Sequence, residues 1–205
     1  MTIKDTLRKR KTTIPVKYLL RVYIFLLKFY NGTIHFFKAF KNYLYNDWLT
    51  NFPSNTIRIL YLKKIMRVKV GESTFIHMGC RFEGNIDIGN NTVLGRNCIF
   101  KGEIIIKNNV SITAETYIFT SSHIVNDPDF NCFYKAVVIE DYAWIGARAM
   151  IMPGVTIGKG AVLAALSVAT KDIPDFNIFA GTPAKSIGLR NSEIKYKLNY
   201  FPFFQ

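Results

Sequence analysis

Only three of the 205 residues are cysteine and only three are histidine. Cys80, Cys98 and Cys132 show no CxxC spacing, which argues against a zinc or dithiol redox site, and an odd count argues against a secreted disulfide scaffold. His35, His77 and His123 stand far apart in the chain, so the sequence offers no histidine cluster for a catalytic metal. Long apolar runs are missing too. Val22–Leu27, between Arg21 and Lys28, is six residues long, against the ~20 that a spanning helix needs. With no signal peptide visible, the expected setting is the cytoplasm, with the thiols reduced.

Acidic residues are scarce in one region only. Residues 1–67 carry 14 Lys/Arg and 2 Asp/Glu, whereas residues 68–205 carry 13 and 12. Nearly all of the net charge of +13 therefore sits in the first third. Hydrophobic residues make up 49% of the chain and charged residues 20%, a globular composition that excludes a disordered or acidic-tail protein.

What the sequence has in strength is a period of six. Val70, Ile76, Phe82, Ile88, Leu94, Phe100, Ile106, Ile112, Ile118 and Ile124 recur without a break. After an interruption the series resumes at Ile139, Ile145, Ile151, Ile157 and Leu163, and Ala169 closes it. Small or apolar residues such as Thr74, Cys80, Thr92, Cys98, Thr116, Ala143 and Ala149 follow four positions later. A helix repeats every three or four residues and a plain strand every two, so six means short strands joined by tight corners. Three strands make a coil of about eighteen residues, and stacked coils bury one continuous core. Stacking places Phe82 under Phe100 and Ile118, and Cys80 under Cys98 and Thr116. The fold class is mainly β, a parallel β-helix of hexapeptide repeats with an N-terminal α-helical segment.

The interruption, residues 125–138, opens with the turn sequence Asn126-Asp127-Pro128-Asp129. In a solenoid such an insertion maps to a loop on one face, often the functional one. Residues 1–67 form a basic, aromatic helical segment: two helices broken near Asn31-Gly32, then a third over Asn55–Met66. It either caps the open end of the solenoid or lies on an anionic membrane. Residues 68–190 are the solenoid, and residues 191–205 a tail ending in aromatics.

Residues 139–185, with the stretches WIGARA, PGVTIG and TKDIP, closely resemble the C-terminal coils of hexapeptide-repeat O-acetyltransferases. That group contains maltose, galactoside, nodulation-factor and colanic-acid acetyltransferases. TSSHIVNDPDF, residues 120–130, resembles the histidine-bearing loop of the colanic-acid branch. The resemblance covers residues 68–190. It implies a left-handed, triangular β-helix, a homotrimer, and transfer of acetyl from acetyl-CoA to a sugar hydroxyl in surface-polysaccharide or lipid-linked oligosaccharide synthesis.

Such a transfer needs a base for the hydroxyl and an acid for the leaving thiolate, and one histidine near neutrality serves both. The resemblance and the loop position give that role to His123. His35 reads as a packing or interfacial residue and His77 as an outward surface residue. Asp127 and Asp129 either orient the ring or bind the acceptor, with turn formation as their structural role. The resemblance places coenzyme A along the column of Ala147 and Ala165, eighteen apart, with the Ala147 N–H as an oxyanion donor. Thr170, Lys171 and Lys185 fall at its nucleotide end, and Trp144 beside it. Leu166 stands where the family often has glycine, adding bulk near the expected pantetheine path.

Other readings remain open. A γ-type carbonic anhydrase on the same fold needs three histidines around zinc, and only His77 and His123 lie in the coils. A non-catalytic trimeric scaffold, or an acetyltransferase acting on a xenobiotic or serine, fits the same repeats. No nucleic-acid motif is present, so no nucleic-acid partner is expected. The expected partners are two further copies of the chain, a glycan acceptor and, through residues 1–67, the inner face of the membrane.

Overall fold

The structure is a computed structural model that describes residues 16–200 and 202. Residues 1–15 of the basic segment, the side chains of residues 16–20 and 22, including Lys17 and Tyr18, and residues 201 and 203–205 of the aromatic tail lie outside the described residues. The chain divides into two compact units, residues 1–40 and 41–205.

The described residues of the first unit all belong to one helix, α1 (Val16–Tyr43). The expected break at Asn31-Gly32 is absent. A lone glycine costs a helix only about 1 kcal/mol relative to alanine, too little to end a helix of 28 residues.

In the second unit, residues 41–66 close the N-terminal end of the solenoid. A π-helical turn (Leu44–Trp48) and a 3-10 turn (Leu49–Asn51) precede α2 (Asn55–Tyr61), and a second π-helical turn (Leu62–Met66) follows. An uncapped first coil would leave a row of unpaired backbone groups. The Asn46 carboxamide accepts from Phe82 N–H at 2.9 Å and donates to Phe82 C=O at 3.0 Å, standing in for a neighbouring strand. Thr50 Oγ1 donates to the Cys80 carbonyl at 2.7 Å. The fully buried Arg58 donates to the carbonyls of Phe52 and Ile76. Tyr45, also fully buried, meets the Phe82 ring edge-on at 5.9 Å, and its burial pushes the phenol pKa up. Residues 41–66 thus belong to the same compact unit as the solenoid.

The solenoid has three faces. The first carries β1 (Lys69–Val70), the C-terminal halves of β3 (Arg81–Ile88) and β5 (Ile99–Ile106), β10 (Val137–Ile139) and β13 (Thr156–Ile157). The second carries β2 (Phe75–Ile76), β4 (Val93–Leu94), β6 (Ser111–Ile112), β11 (Trp144–Ile145), β14 (Val162–Leu163) and β16 (Asn177–Ala180). The third carries the N-terminal halves of β3 and β5, then β7 (Tyr117–Phe119), β12 (Met150–Ile151) and β15 (Val168–Ala169). Neighbouring coils pair in parallel at an eighteen-residue register, Phe82 with Phe100 and Phe100 with Ile118. The Phe82 and Phe100 rings stack at 5.1 Å and 8°. Cys80, Cys98 and Thr116 are buried in one column, each with a donor directed to a corner carbonyl: Gly95 O, Thr113 O and Thr113 O. Burial at this corner thus leaves each sulfhydryl or hydroxyl hydrogen-bonded rather than stranded.

Ile106 pairs with Ile139, thirty-three residues on rather than eighteen, so fifteen residues, 121–135, are extra. They form an antiparallel hairpin of β8 (Ser121–His123) and β9 (Cys132–Tyr134). The insertion therefore begins before residue 125, and Val137 and Val138 belong to the coil. Ile124 continues the arithmetic of the repeat but is 45% exposed in the hairpin.

After β16 the chain reverses into β17 (Lys185–Leu189) and then runs back along the corner between the first and second faces. Tyr196 Oη donates to Tyr142 O at 3.3 Å, and Leu198 N–H donates to Asn109 Oδ1 at 3.2 Å. The Tyr200 ring lies 5.7 Å from His77. His77 is therefore partly covered rather than a plain surface residue. Burial, with Arg96 and Arg58 nearby, pulls its pKa below the usual histidine value.

Candidate active site

The hairpin leaves the solenoid at Thr120, which is buried and whose Oγ1 accepts from Glu103 N–H at 3.1 Å. Gly102 lies directly beneath, at φ +106; a Cβ there would stand 1.6 Å from Thr120 Oγ1, so only glycine fits. This seats the base of the hairpin. Lys135 N–H donates to Thr120 O at 2.8 Å and closes it.

At the far end of β8, His123 is exposed and its Nδ1 lies 2.8 Å from the carbonyl of Phe130. That hydrogen bond requires the proton on Nδ1, which leaves the lone pair on Nε2. The Phe130 ring stacks on the imidazole at 3.9 Å and 13°. Cys132, opposite His123 in the hairpin register, places Sγ 3.2 Å from Nδ1 and 3.5 Å from Nε2. A backbone carbonyl thus orients the ring, and neither aspartate does. Asp127 Oδ1 accepts from Asp129 N–H at 2.8 Å and its Oδ2 from Asn131 Nδ2 at 3.0 Å, so both oxygens hold the hairpin tip. Asp129 is exposed and joins that turn through its backbone. Asp127 is therefore a turn former here, not an orienting residue.

A groove of about 470 Å³ runs elsewhere on the solenoid, lined by Thr113, Trp144, Ala147, Val162, Ala165 and Arg190 among others. It brings together three of the residues expected at the cofactor: Trp144, Ala147 and Ala165. Gly146 makes this stacking tight, since a Cβ there would lie 2.3 Å from Ala165 N. Trp144 is half exposed, and its Nε1 donates to Thr113 Oγ1 at 3.3 Å. Ala147 and Ala165 occupy the middle position of the corner between the second and third faces, where Met78, Arg96 and Ala114 stand in the coils below. The Ala147 carbonyl accepts from Leu166 N–H at 2.9 Å, while the Ala147 and Ala165 N–H groups have no acceptor among the described residues. Leu166 sits beside them at φ +59, 69% exposed.

Thr170, Lys171 and Lys185 are exposed and do not line the groove. They stand at the C-terminal end of the solenoid, where Ala184 N–H bonds to Val168 O. Two groove or loop residues escaped sequence reasoning. Arg190 reaches in from the tail and is held by Tyr142 O, Gly160 O and the Tyr196 hydroxyl at 3.0, 3.2 and 3.3 Å. Cys132 touches His123 only because the insertion is a hairpin. Among the described residues no three His, Cys, Asp or Glu gather into a metal site.

Residues 136–171, the coils that build this groove, match the bacterial transferase hexapeptide family (six repeats). These coils are therefore hexapeptide repeats of the bacterial transferase type. This hexapeptide-repeat protein is similar to a chloramphenicol acetyltransferase from Escherichia coli, 50% identical over 56 residues, 27% of each chain. It thus spans about a quarter of the length of that curated relative. Among solved structures it resembles a hexapeptide-repeat-containing acetyltransferase from Vibrio cholerae, with TM-score 0.68 and 24% identity over 78% of this chain and 94% of that one. A maltose O-acetyltransferase from Clostridium difficile 630 gives TM-score 0.55 and 26% identity over 76% and 85%.

Proposed function

We propose that this hexapeptide-repeat protein transfers acetyl from acetyl-CoA to a hydroxyl of a sugar acceptor, in surface-polysaccharide or lipid-linked oligosaccharide synthesis. The observation that carries the reading is His123: an exposed imidazole on a seated hairpin, its Nδ1 bonded to Phe130 O and its lone pair on Nε2, beside the Cys132 thiol at 3.5 Å. Nε2 takes the acceptor's hydroxyl proton as its oxygen attacks the thioester carbonyl. The C–S bond then breaks, and the same proton passes to the departing thiolate. The Ala147 N–H, without an internal acceptor, is placed to bind the carbonyl oxygen as charge develops there. Thr170, Lys171 and Lys185 serve the nucleotide end. Asp129 remains a candidate for the acceptor.

The active unit proposed is a homotrimer. The hairpin leaves at the corner between the third and first faces, whereas the groove lies on the second face and the corner beyond it. His123 of one chain and the groove of a neighbour would make each site.

Two measurements test the reading. Acetyl-CoA at about 100 times its Kd should stabilise the protein by about 2.7 kcal/mol, a rise in Tm of roughly 5–10 °C for a chain of this size. Labelled acetyl should then appear on an envelope-glycan precursor, with maltose, chloramphenicol and serine as competing acceptors. No stabilisation and no transfer to any of them would leave a scaffold; transfer to chloramphenicol or serine alone would overturn the sugar.

A further inference from the structure

The helix α1 has no part in the proposed chemistry, and its surface is unlike that of a packed helix. Its large apolar side chains are exposed: Phe25 by 67%, Phe29 by 65%, Phe36 by 64% and Phe37 by 67%. Within the helix the Phe36 ring meets Phe37 at 5.7 Å and Phe40 at 6.1 Å. At about 100° per residue, Arg21, Lys28, His35 and Asn42 follow one another at seven-residue steps along a single line. Asn31 and Lys38 flank that line. The opposite side, an arc of about 200°, carries the aromatic and most of the aliphatic residues from Tyr23 to Tyr43, while Ile24 and Ala39 fall on the basic side. The polar exceptions on the arc are Thr33, whose hydroxyl donates to the Tyr30 carbonyl at 2.7 Å, and Lys41 at the C-terminal end.

From this geometry we infer that α1 lies in the plane of an anionic lipid surface, its aromatic arc among the acyl chains and its basic line at the headgroups. The charge pattern selects the occupant. Between Thr6 and Asn46 the chain has nine Lys/Arg and no Asp/Glu. Such a segment attracts phosphate-bearing lipid, adding about 1 kcal/mol of attraction for each well-placed cation. Phenylalanine and tyrosine suit the boundary between headgroup and acyl chain, and lysine stems extend along apolar surface to reach the phosphates. Pairing with a second copy of α1 fits less well. A coiled-coil seam is a narrow stripe of aliphatic residues, whereas this arc covers more than half the helix and is rich in rings. No described helix is long and apolar enough to cross a membrane, which fits a helix lying on the surface. The solenoid would then work beside a membrane, where lipid-linked acceptors are concentrated.

Vesicle flotation of the full chain tests this, with phosphatidylcholine alone and with about one-third phosphatidylglycerol. The protein should float with the anionic vesicles at low salt, and float far less with phosphatidylcholine or at high salt. Arg21→Gln with Lys28→Gln should weaken the partition by about thirtyfold. Phe25→Asp with Phe36→Asp should abolish it while the cooperative melting of the solenoid stays unchanged. Failure of the wild type to float at low salt would overturn the inference. So would equal flotation of the Phe25→Asp/Phe36→Asp variant, or flotation indifferent to lipid charge. Self-association of α1 in solution without flotation would assign the arc to a second copy instead.

Discussion

Replacing His123 with alanine is expected to lower acetyl transfer by about 10²–10⁴-fold. The fold should not change. The ring is exposed, and its contacts are the Phe130 carbonyl and ring and the Cys132 thiol, all within the hairpin. Nothing in the groove depends on it, so acetyl-CoA should protect the variant from heat as well as it protects the wild type. Losing turnover while keeping coenzyme protection is the mark of a group that acts on the reacting atoms. Turnover within threefold of wild type would remove His123 from the chemistry. Loss of coenzyme protection would mean that His123 holds the coenzyme instead.

Ala147→Trp is expected to do the opposite. The indole fills the groove where the pantetheine chain is proposed to run. Acetyl-CoA binding should fall by on the order of 10²-fold, which corresponds to about 3 kcal/mol, and thermal protection should disappear. The coil itself should tolerate the change, because Met78 and Arg96 occupy the same corner position two or more coils below. The check is a coenzyme titration followed by thermal shift, with the unliganded Tm as the control for folding. Unaltered binding would place the coenzyme away from this groove.

The solenoid was legible because its signal is distributed. Each inward residue from Val70 to Ala169 repeats one demand, that a strand turn a bulky apolar side chain toward a common axis, and no single exception can hide that. The same regularity misled at Ile124. It falls six residues after Ile118, but the chain has already left the coil at Thr120, and nothing in the spacing separates a coil isoleucine from a hairpin isoleucine. The hairpin's own logic is short-range and polar: Asp127 binds Asp129 N–H and Asn131 Nδ2, and β8 faces β9. Had the hairpin been recognised, the pairing of His123 with Cys132 would have followed.

Long-range contacts were out of reach for a different reason. Arg190 meets Tyr142 across 48 residues, and Leu198 meets Asn109 across 89. Neither contact leaves a period or a motif. Asn46, Thr50 and Arg58 likewise show their role only once the open edge of the first coil is known to need donors and acceptors. Gly32 is a weak signal for a break, since its cost is small beside that of ending a 28-residue helix.

Mixing the two disabled chains tests the central claim most directly. His123→Ala and Ala147→Trp subunits, co-expressed with different affinity tags and purified through both, give mixed trimers. Each Ala147→Trp subunit brings an intact His123, and each His123→Ala subunit an intact groove. If every site joins a histidine from one chain to a groove from the next, about one-third of the sites in such mixed trimers are whole. Activity should return to about that fraction of wild type. Doubly tagged trimers no more active than the two parents would contradict the account, because His123 and the groove would then not be meeting across subunits.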